Sequence, residues 1–186
     1  MAATFRGRIV FLDVDGVLNS KKMFFNEATG CMEVDDTPKP GNLEALKVLV
    51  EETESNIVLS STWRLQERKL EELKAAFAPL CLDVYDATPD LAGFGAGDRV
   101  DEILLWLAKT REEGNSVLAW IAVDDLDLMA VNRQLDDAHF LRVNGRTGIS
   151  REDAEEGIMK VNAQIRASER AAGAELCRGF CTTALM

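Results

Sequence analysis

Hydrophobic side chains along this sequence follow two kinds of pattern, short continuous runs and longer segments with a helical period. The continuous runs predict buried strands at residues 8–13, 56–60, 80–85, 117–123 and 139–143. Between them, apolar side chains recur every three to four positions, as they do on amphipathic helices. Strands that alternate with helices are typical of an α/β fold whose mostly parallel sheet is covered on both faces. We therefore predict a three-layer sandwich with a five-stranded sheet.

Four segments carry the helical period. The last of them opens with Ser150 and Asp153 in the spacing of a capping box, so we expect a helix to begin there. Beyond that helix, the sequence has no clear period, and we predict a single domain over residues 1–167 and a disordered tail over residues 168–186. The apolar faces of the four helices are Leu43, Leu46 and Val50; Leu70, Leu73 and Phe77; Val100, Ile103, Leu104 and Leu107; and Ile158, Val161 and Ile165.

Composition narrows the class of protein. A chain of 186 residues is long enough for one domain with its own core, and its net charge of −11 opposes non-specific binding to nucleic acid or to an anionic membrane. The sequence has neither a signal peptide nor an apolar run long enough to span a bilayer, so we expect a cytoplasmic protein with no membrane partner. Cys177 and Cys181 lack a neighbouring histidine, so we expect free thiols there rather than a zinc site.

Two carboxylates, Asp13 and Asp15, follow the first predicted strand, and Gly16 follows them. Side chains two positions apart on an extended segment share one face, so both carboxylates can converge on one metal-bound phosphate. A glycine at the next position lets the chain turn sharply beside a ligand. This segment is the first candidate for a functional site.

Polar residues also follow two other predicted strands. Ser60, Ser61 and Thr62 end the second strand, and Asp124 and Asp125 end the fourth. Ligands of open parallel sheets bind outside the carboxyl ends of the strands. We therefore expect these residues to belong to the same site as the first pair of carboxylates.

The residue types in this set suit phosphoryl transfer. Arg99 lies in the first turn of the third predicted helix, where a cation can face an anion bound at the helix N-terminus. Transfer of a phosphoryl group requires neutralisation of charge from several sides, and a divalent cation supplies most of it. Clustered carboxylates favour Mg²⁺ over zinc. We interpret the sole histidine, His139, as a structural residue in a strand.

These residues resemble the haloacid dehalogenase (HAD) superfamily of aspartate-nucleophile phosphohydrolases. Its motifs, in order, are Asp-x-Asp-Gly after strand one, Ser or Thr ending strand two, Lys or Arg at the next helix, and a later acidic pair. A finer resemblance, over about residues 8–165, is to the small HAD domains of Swiss Army Knife RNA repair proteins, and it implies a Rossmann-like fold. It rests on Ser60-Ser-Thr-Trp-Arg64, Arg99-Val-Asp-Glu-Ile-Leu-Leu-Trp-Leu107 and Thr147-Gly-Ile-Ser150.

The resemblance implies roles for the acidic residues. Asp13 would be the nucleophile that forms an aspartyl-phosphate, and Asp15 would give a proton to the leaving group and then take one from water. Mg²⁺ would bind Asp13, the Asp15 main-chain carbonyl and one residue of the acidic pair. Our preferred ligand from that pair is Asp125, with Asp124 orienting the site, although the reverse assignment stays open.

The resemblance also implies residues that contact substrate. Ser60 would hydrogen-bond the transferred phosphoryl group, with Ser61 as the second candidate, and Gly16 would leave room for it. Arg99 would neutralise the phosphoryl group, although most of the superfamily has lysine there; the alternative is a charge on the helix surface. Arg64 either contacts a distal phosphate of the substrate or forms a salt bridge.

The spacing of the motifs leaves no room for a separate cap domain, since only about 40 residues separate Gly16 from the second strand. An open site favours a large phosphorylated substrate, such as a nucleic-acid end or a protein. The alternatives to a phosphatase are phosphotransfer to an acceptor other than water and a non-catalytic interaction module. Trp63 and Trp106 are interpreted as core residues, and the sequence indicates no oligomeric state.

Overall fold

The computed structural model of the protein describes residues 5–20, 22–91 and 96–182. Short 3-10 turns at Thr62–Leu65, Ala78–Leu80 and Asp137–His139 supplement the regular elements. In chain order these are β1 (Arg6–Leu12), β2 (Lys22–Asn26), β3 (Cys31–Asp35), α1 (Pro40–Thr53), β4 (Ser55–Leu59), α2 (Glu67–Phe77), β5 (Val84–Ala87), α3 (Ala96–Glu112), β6 (Ser116–Asp124), α4 (Leu128–Val131), β7 (Phe140–Arg142) and α5 (Arg151–Thr182).

The larger sheet contains five parallel strands in the order β5-β4-β1-β6-β7. β1 lies in the middle, where Val10 is opposite Ile57 of β4 on one side and Ile121 of β6 on the other. Because the strand order reverses direction at β1, the loops that follow neighbouring strands diverge and leave a crevice at their carboxyl ends. The described residues include no separate cap domain, and the predicted α/β fold is confirmed.

Alternate side chains of β1 face opposite layers of the sandwich. Val10 and Leu12 belong to an apolar cluster with α1, α2 and α5, whereas Ile9 and Phe11 belong to a cluster with α3 and α4. All four side chains are fully buried, as expected for a strand that is covered on both faces. The two apolar layers fix β1, and therefore the residues at its carboxyl end.

Helix α5 begins at the predicted capping box. The Ser150 N–H donates to the Asp153 carboxylate at 2.8 Å, and the Asp153 N–H donates to Ser150 Oγ at 3.1 Å. Residues 168–182, which we assigned to the tail, continue this helix, because extending an existing helix needs no new nucleation. Residues 183–186 lie outside the described residues, as do the side chains of Cys177 and Cys181. The domain limits 1–167 stay a prediction.

Two strands begin later than the sequence predicted. The run 80–85 is not one strand, because α2 is prolonged by the turn Ala78–Leu80 and Cys81 has a left-handed φ of +57°. A left-handed residue ends a helix and redirects the chain, so β5 starts only at Val84. Similarly, His139 is the last residue of a 3-10 turn, and β7 starts at the next residue.

β2 and β3 form a separate antiparallel hairpin, which we did not predict, between β1 and α1. Met23 is opposite Val34, and Phe25 is opposite Met32, so these four side chains share one face. Each of them is at least half exposed. The hairpin therefore adds apolar surface that the two core clusters do not use.

The helices are those of a globular sandwich. No helix within the described ranges combines the length and the apolarity that crossing a membrane requires.

Candidate active site

Hydrogen bonds of the sheet continue past the strands and fix the residues that follow them. The Asp13 N–H donates to the Val123 carbonyl at 3.0 Å, and the Ser60 N–H donates to the Leu12 carbonyl at 2.9 Å. Asp124 is the last residue of β6. Asp13, Ser60 and Asp124 therefore lie at the carboxyl ends of three adjacent strands, which is the edge where the sequence predicted the site.

Arg99, on α3, joins two of these carboxylates. Its Nη1 atom lies 2.8 Å from Asp13 Oδ2 and 2.5 Å from Asp124 Oδ2, and all three side chains are largely buried. Burial by itself would lower the pKa of the guanidinium, but the charges of Asp13 and Asp124 outweigh it and raise that pKa. Arg99 is thus a permanent cation between two carboxylates and not a charge on the helix surface.

The acidity of Asp124 is perturbed by its surroundings. Burial raises the pKa of Asp124 to about 6, and the negative charge of Asp13 acts in the same direction. Arg99 and the Leu126 N–H, which donates to Asp124 Oδ1 at 2.9 Å, oppose that rise. Two carboxylates this close repel each other, and a divalent cation bound beside them would relieve the repulsion.

A third carboxylate completes the cluster. Asp13, Asp124 and Asp125 each place one oxygen within 4.8 Å of the other two. The Asp125 side chain lies against two glycines, Gly16 and Gly145, and a Cβ on either of them would overlap its Oδ2 atom. Carboxylate oxygens are the ligands that Mg²⁺ prefers. The residues present therefore fit a hard divalent cation.

Asp15 is placed by a turn and not by a strand. β1 ends at Leu12, and residues 15–18 form a turn in which Gly16 has φ +82°. The alternation of side chains along a strand therefore does not orient Asp15, contrary to our expectation. Instead, Asn19 Nδ2 donates to Asp15 Oδ1 at 2.9 Å, and Asn19 Oδ1 accepts from the Gly16 N–H at 3.0 Å. Asn19 is fully buried, whereas Asp15 is half-buried, so the amide is fixed from the core side.

Arg64 holds the loop that follows β4. Its guanidinium donates to the carbonyls of Ser60 and Ser61, each at 2.9 Å, and lies 2.8 Å from Glu102 Oε2. It also donates to two carbonyls of the loop after β5. Arg64 therefore forms a buried salt bridge with Glu102, and its contact with a distal phosphate of the substrate stays a prediction.

Ser61 and three aromatic residues singled out in the sequence have structural contacts. Ser61 Oγ accepts from the Trp63 N–H at 3.4 Å and so begins a 3-10 turn. Trp63 and Trp106 are both buried, as predicted. His139 stacks on Trp120, with ring centroids 4.3 Å apart, which agrees with a structural role.

One known protein family matches the part of the chain that contains these residues. The sequence model of the family described as the HAD domain in Swiss Army Knife RNA repair proteins matches residues 9–154. The chain belongs to this family. The matched part of this HAD domain extends from β1 to the first turn of α5 and includes every residue of the cluster. No match to a curated protein was found.

Membership of the family indicates a phosphatase- or hydrolase-type function for this HAD domain. HAD domains are typically metal-dependent, and the three clustered aspartates could hold a metal ion. The suspected resemblance to capless HAD domains is therefore confirmed.

Sequence reasoning missed two supporting residues of the HAD domain, Asn19 and Glu102. Glu102 lies within the motif that begins at Arg99, and Asn19 lies three residues after the Asp-x-Asp-Gly motif. Their partners are in the loop after β4 and in the turn after β1, respectively. An asparagine four positions after a candidate acid, and a glutamate one turn after Arg99, were the only signals in the sequence. Neither signal identifies a partner without the fold.

Proposed function

We propose that this HAD domain is a magnesium-dependent phosphomonoesterase that works through an aspartyl-phosphate on Asp13. The observation that carries the proposal is the contact of one Arg99 nitrogen with both Asp13 and Asp124, beside a third carboxylate. A nucleophilic carboxylate that attacks a phosphate dianion needs its own charge and that of the phosphate neutralised. A buried, permanently charged guanidinium provides part of that neutralisation.

The reaction divides into two displacements. A carboxylate oxygen of Asp13 attacks phosphorus, the bond to the leaving oxygen breaks, and Asp15 gives its proton to that oxygen. Asp15, now ionised, then takes a proton from a water molecule, which attacks phosphorus and releases inorganic phosphate and the free Asp13 carboxylate. Over the two steps the phosphoryl group passes from the substrate to water, and Asp15 regains the proton that it gave to the leaving oxygen.

The other residues act on the phosphoryl group and on the metal ion. Ser60 hydrogen-bonds the transferred phosphoryl oxygens, with Ser61 as the alternative, and Arg99 neutralises their charge. Asp13, the Asp15 carbonyl and Asp125 would hold Mg²⁺, while Asp124 orients Arg99. When bound, Mg²⁺ supplies the remaining positive charge for the phosphoryl oxygens. The preference for Asp125 is supported by Asp124 already bonding Arg99 and the Leu126 N–H.

An open carboxyl edge supports a large phosphorylated substrate. The described residues put no helical domain over the cluster, and the insertion after β1 is only a two-stranded hairpin. We propose that the substrate is a phosphorylated macromolecular end and not an enclosed small metabolite. The net charge of −11 favours a phosphorylated protein over a phosphorylated nucleic-acid end, unless a partner protein supplies a basic surface that binds nucleic acid.

Hydrolysis of an aryl phosphate in the presence of Mg²⁺ tests the proposal. Wild-type protein is expected to release phosphate, and Asp13→Asn is expected to lose the activity because its amide cannot attack phosphorus. Asp83→Asn is the matched control, since Asp83 is exposed and precedes β5, at the opposite edge of the sheet. Equal rates for wild-type and Asp13→Asn protein would refute the proposal.

The same assay separates the alternatives. Transfer of the phosphoryl group to added alcohols in place of water would assign a phosphotransferase. Inactivity of the wild-type protein on sugar phosphates, nucleotides, phosphopeptides and phosphorylated oligonucleotides would favour a non-catalytic module.

A further inference from the structure

We propose that Asn19 is the positioning residue for Asp15. Lys69 in turn holds Asn19 in place, because it binds Asp36 at the end of the hairpin, and the Asp36 carbonyl accepts a hydrogen bond from Asn19. The inference rests on the proposed function, because it concerns how the proton donor of that reaction is held. It assigns a part in the reaction to α2, an element that carries none of the clustered carboxylates.

The side chain of Asn19 uses both of its N–H groups and its oxygen in hydrogen bonds. The N–H groups donate to Asp15 Oδ1 at 2.9 Å and to the Asp36 carbonyl at 3.0 Å, and the oxygen accepts from the Gly16 N–H at 3.0 Å. The orientation of the amide is unambiguous, because a backbone carbonyl only accepts and a backbone N–H only donates. Rotation of this buried amide would leave polar groups unsatisfied, so it holds the Asp15 carboxylate in one orientation.

Asp36 is in turn fixed by a residue of α2. It directly follows β3, and its carboxylate forms an ion pair with Lys69 Nζ. Lys69 also lies 3.2 Å from Glu72 Oε2 and 4.6 Å from the centroid of the Trp63 ring. Only 12% of the Lys69 side chain is exposed, whereas lysine side chains are mostly exposed unless they are paired. The position of the Asp36 carbonyl, and with it the Asn19 amide, therefore depends on α2.

The orientation of Asp15 affects the first displacement to an extent that depends on the leaving group. Attack by Asp13 does not require a proton from Asp15, but departure of a basic leaving oxygen does. A carboxyl group that loses its fixed orientation should therefore slow the release of alkoxide leaving groups. It should have little effect on the departure of a leaving group that is stable as an anion. The attack of water, in which Asp15 takes a proton, would also slow, but that step is common to all substrates and does not enter kcat/KM.

The test compares two substrates, 2,4-dinitrophenyl phosphate and a simple alkyl phosphate, in wild-type, Lys69→Met and Asn19→Ala protein. Methionine keeps the apolar stem over Trp63 and removes the charge. Lys74→Met is the matched control, because Lys74 is also on α2 and its ion pair with Glu71 is exposed. We expect kcat/KM for the alkyl phosphate to fall about tenfold or more in both test variants, and kcat/KM for dinitrophenyl phosphate to fall less than about threefold.

Each outcome decides the inference. An equal loss of kcat/KM on both substrates, or no loss, in Lys69→Met would overturn it, and so would the same selective loss in Lys74→Met. If Asn19→Ala does not fold, Lys69→Met decides alone. Absence of Asp13-dependent hydrolysis of dinitrophenyl phosphate by the wild-type protein would instead refute the proposed function, and the inference with it.

Discussion

The guanidinium of Arg64 and the carboxylate of Glu102 lie 2.8 Å apart, and their side chains are only 5% and 6% exposed. Glu102 is one helical turn after Arg99 on α3, whereas Arg64 holds the carbonyls of Ser60 and Ser61. The pair therefore connects the loop with the candidate phosphoryl-binding serines to the helix with the candidate phosphoryl-binding arginine. A change in one partner should disturb both stability and the site.

Glu102→Ala is expected to lower the free energy of unfolding by about 3 kcal/mol or more, because it leaves a buried guanidinium without its carboxylate. Urea unfolding of the variant and the wild type measures this difference. The control is Glu51→Ala, which removes an exposed pair with Lys47 at 3.7 Å and should cost less than about 1 kcal/mol. Similar losses in the two variants would contradict a structural role for the buried pair.

Gly145→Ala should weaken Mg²⁺ binding about tenfold or more without unfolding the protein, because its methyl group would displace the Asp125 carboxylate. Calorimetric titration with Mg²⁺ measures the affinity. Gly41→Ala is the control, since a Cβ there meets nothing within 4 Å. Unchanged affinity in Gly145→Ala would show that Asp125 is not a ligand.

Arg99→Lys should keep activity within about tenfold of the wild type, whereas Arg99→Met should lose about 10² to 10³. The reason is that a single nitrogen, Nη1, makes both contacts, so one ammonium group can replace it. Steady-state hydrolysis of an aryl phosphate measures both variants. If lysine proves as inactive as methionine, the fork shape of the guanidinium matters as well as its charge.

Metal-free wild-type protein should lose stability relative to Asp124→Asn as the pH rises from about 5 to about 7.5. Burial, with the Asp13 charge, raises the pKa of Asp124 to about 6 in the folded state, from an ordinary value of 3.8. The folded state therefore binds more protons than the unfolded state between these values, and the stability from this group falls as the pH passes through about 6.

The part of that change between about pH 5 and about pH 7.5 is on the order of 1 kcal/mol. Urea unfolding of both proteins in a chelator at the two pH values measures it. A difference between them that does not change with pH would contradict the raised pKa.

The sequence was sufficient to predict the parallel sheet and the edge of that sheet at which the site residues lie. Strands that alternate with helices specify a parallel sheet, and parallel strands bring their carboxyl ends together, so Asp13, Ser60 and Asp124 could be grouped without a structure. The capping box of Ser150 and Asp153 was also readable, because its partners are three residues apart.

Contacts between distant segments were not readable. Arg64 and Glu102 are far apart in the sequence and meet only because α3 packs beside the loop after β4, and nothing local distinguishes that pairing from a contact with substrate. The hairpin was missed for a different reason. Met32 and Val34 alternate with polar residues as they would on a strand. Because neither side chain packs into a core, the sequence alone does not distinguish this strand from an exposed loop.

The hairpin of β2 and β3 shares no hydrogen-bonded ladder with the five-stranded sheet. Its length and its exposed side chains can therefore change without shifting the register of any core strand. In evolution, the surface residues of the hairpin could therefore change while the carboxylate cluster stays the same. In protein engineering, the segment can be exchanged as one cassette, provided that the replacement keeps Asn19 and Asp36 where Asp15 needs them.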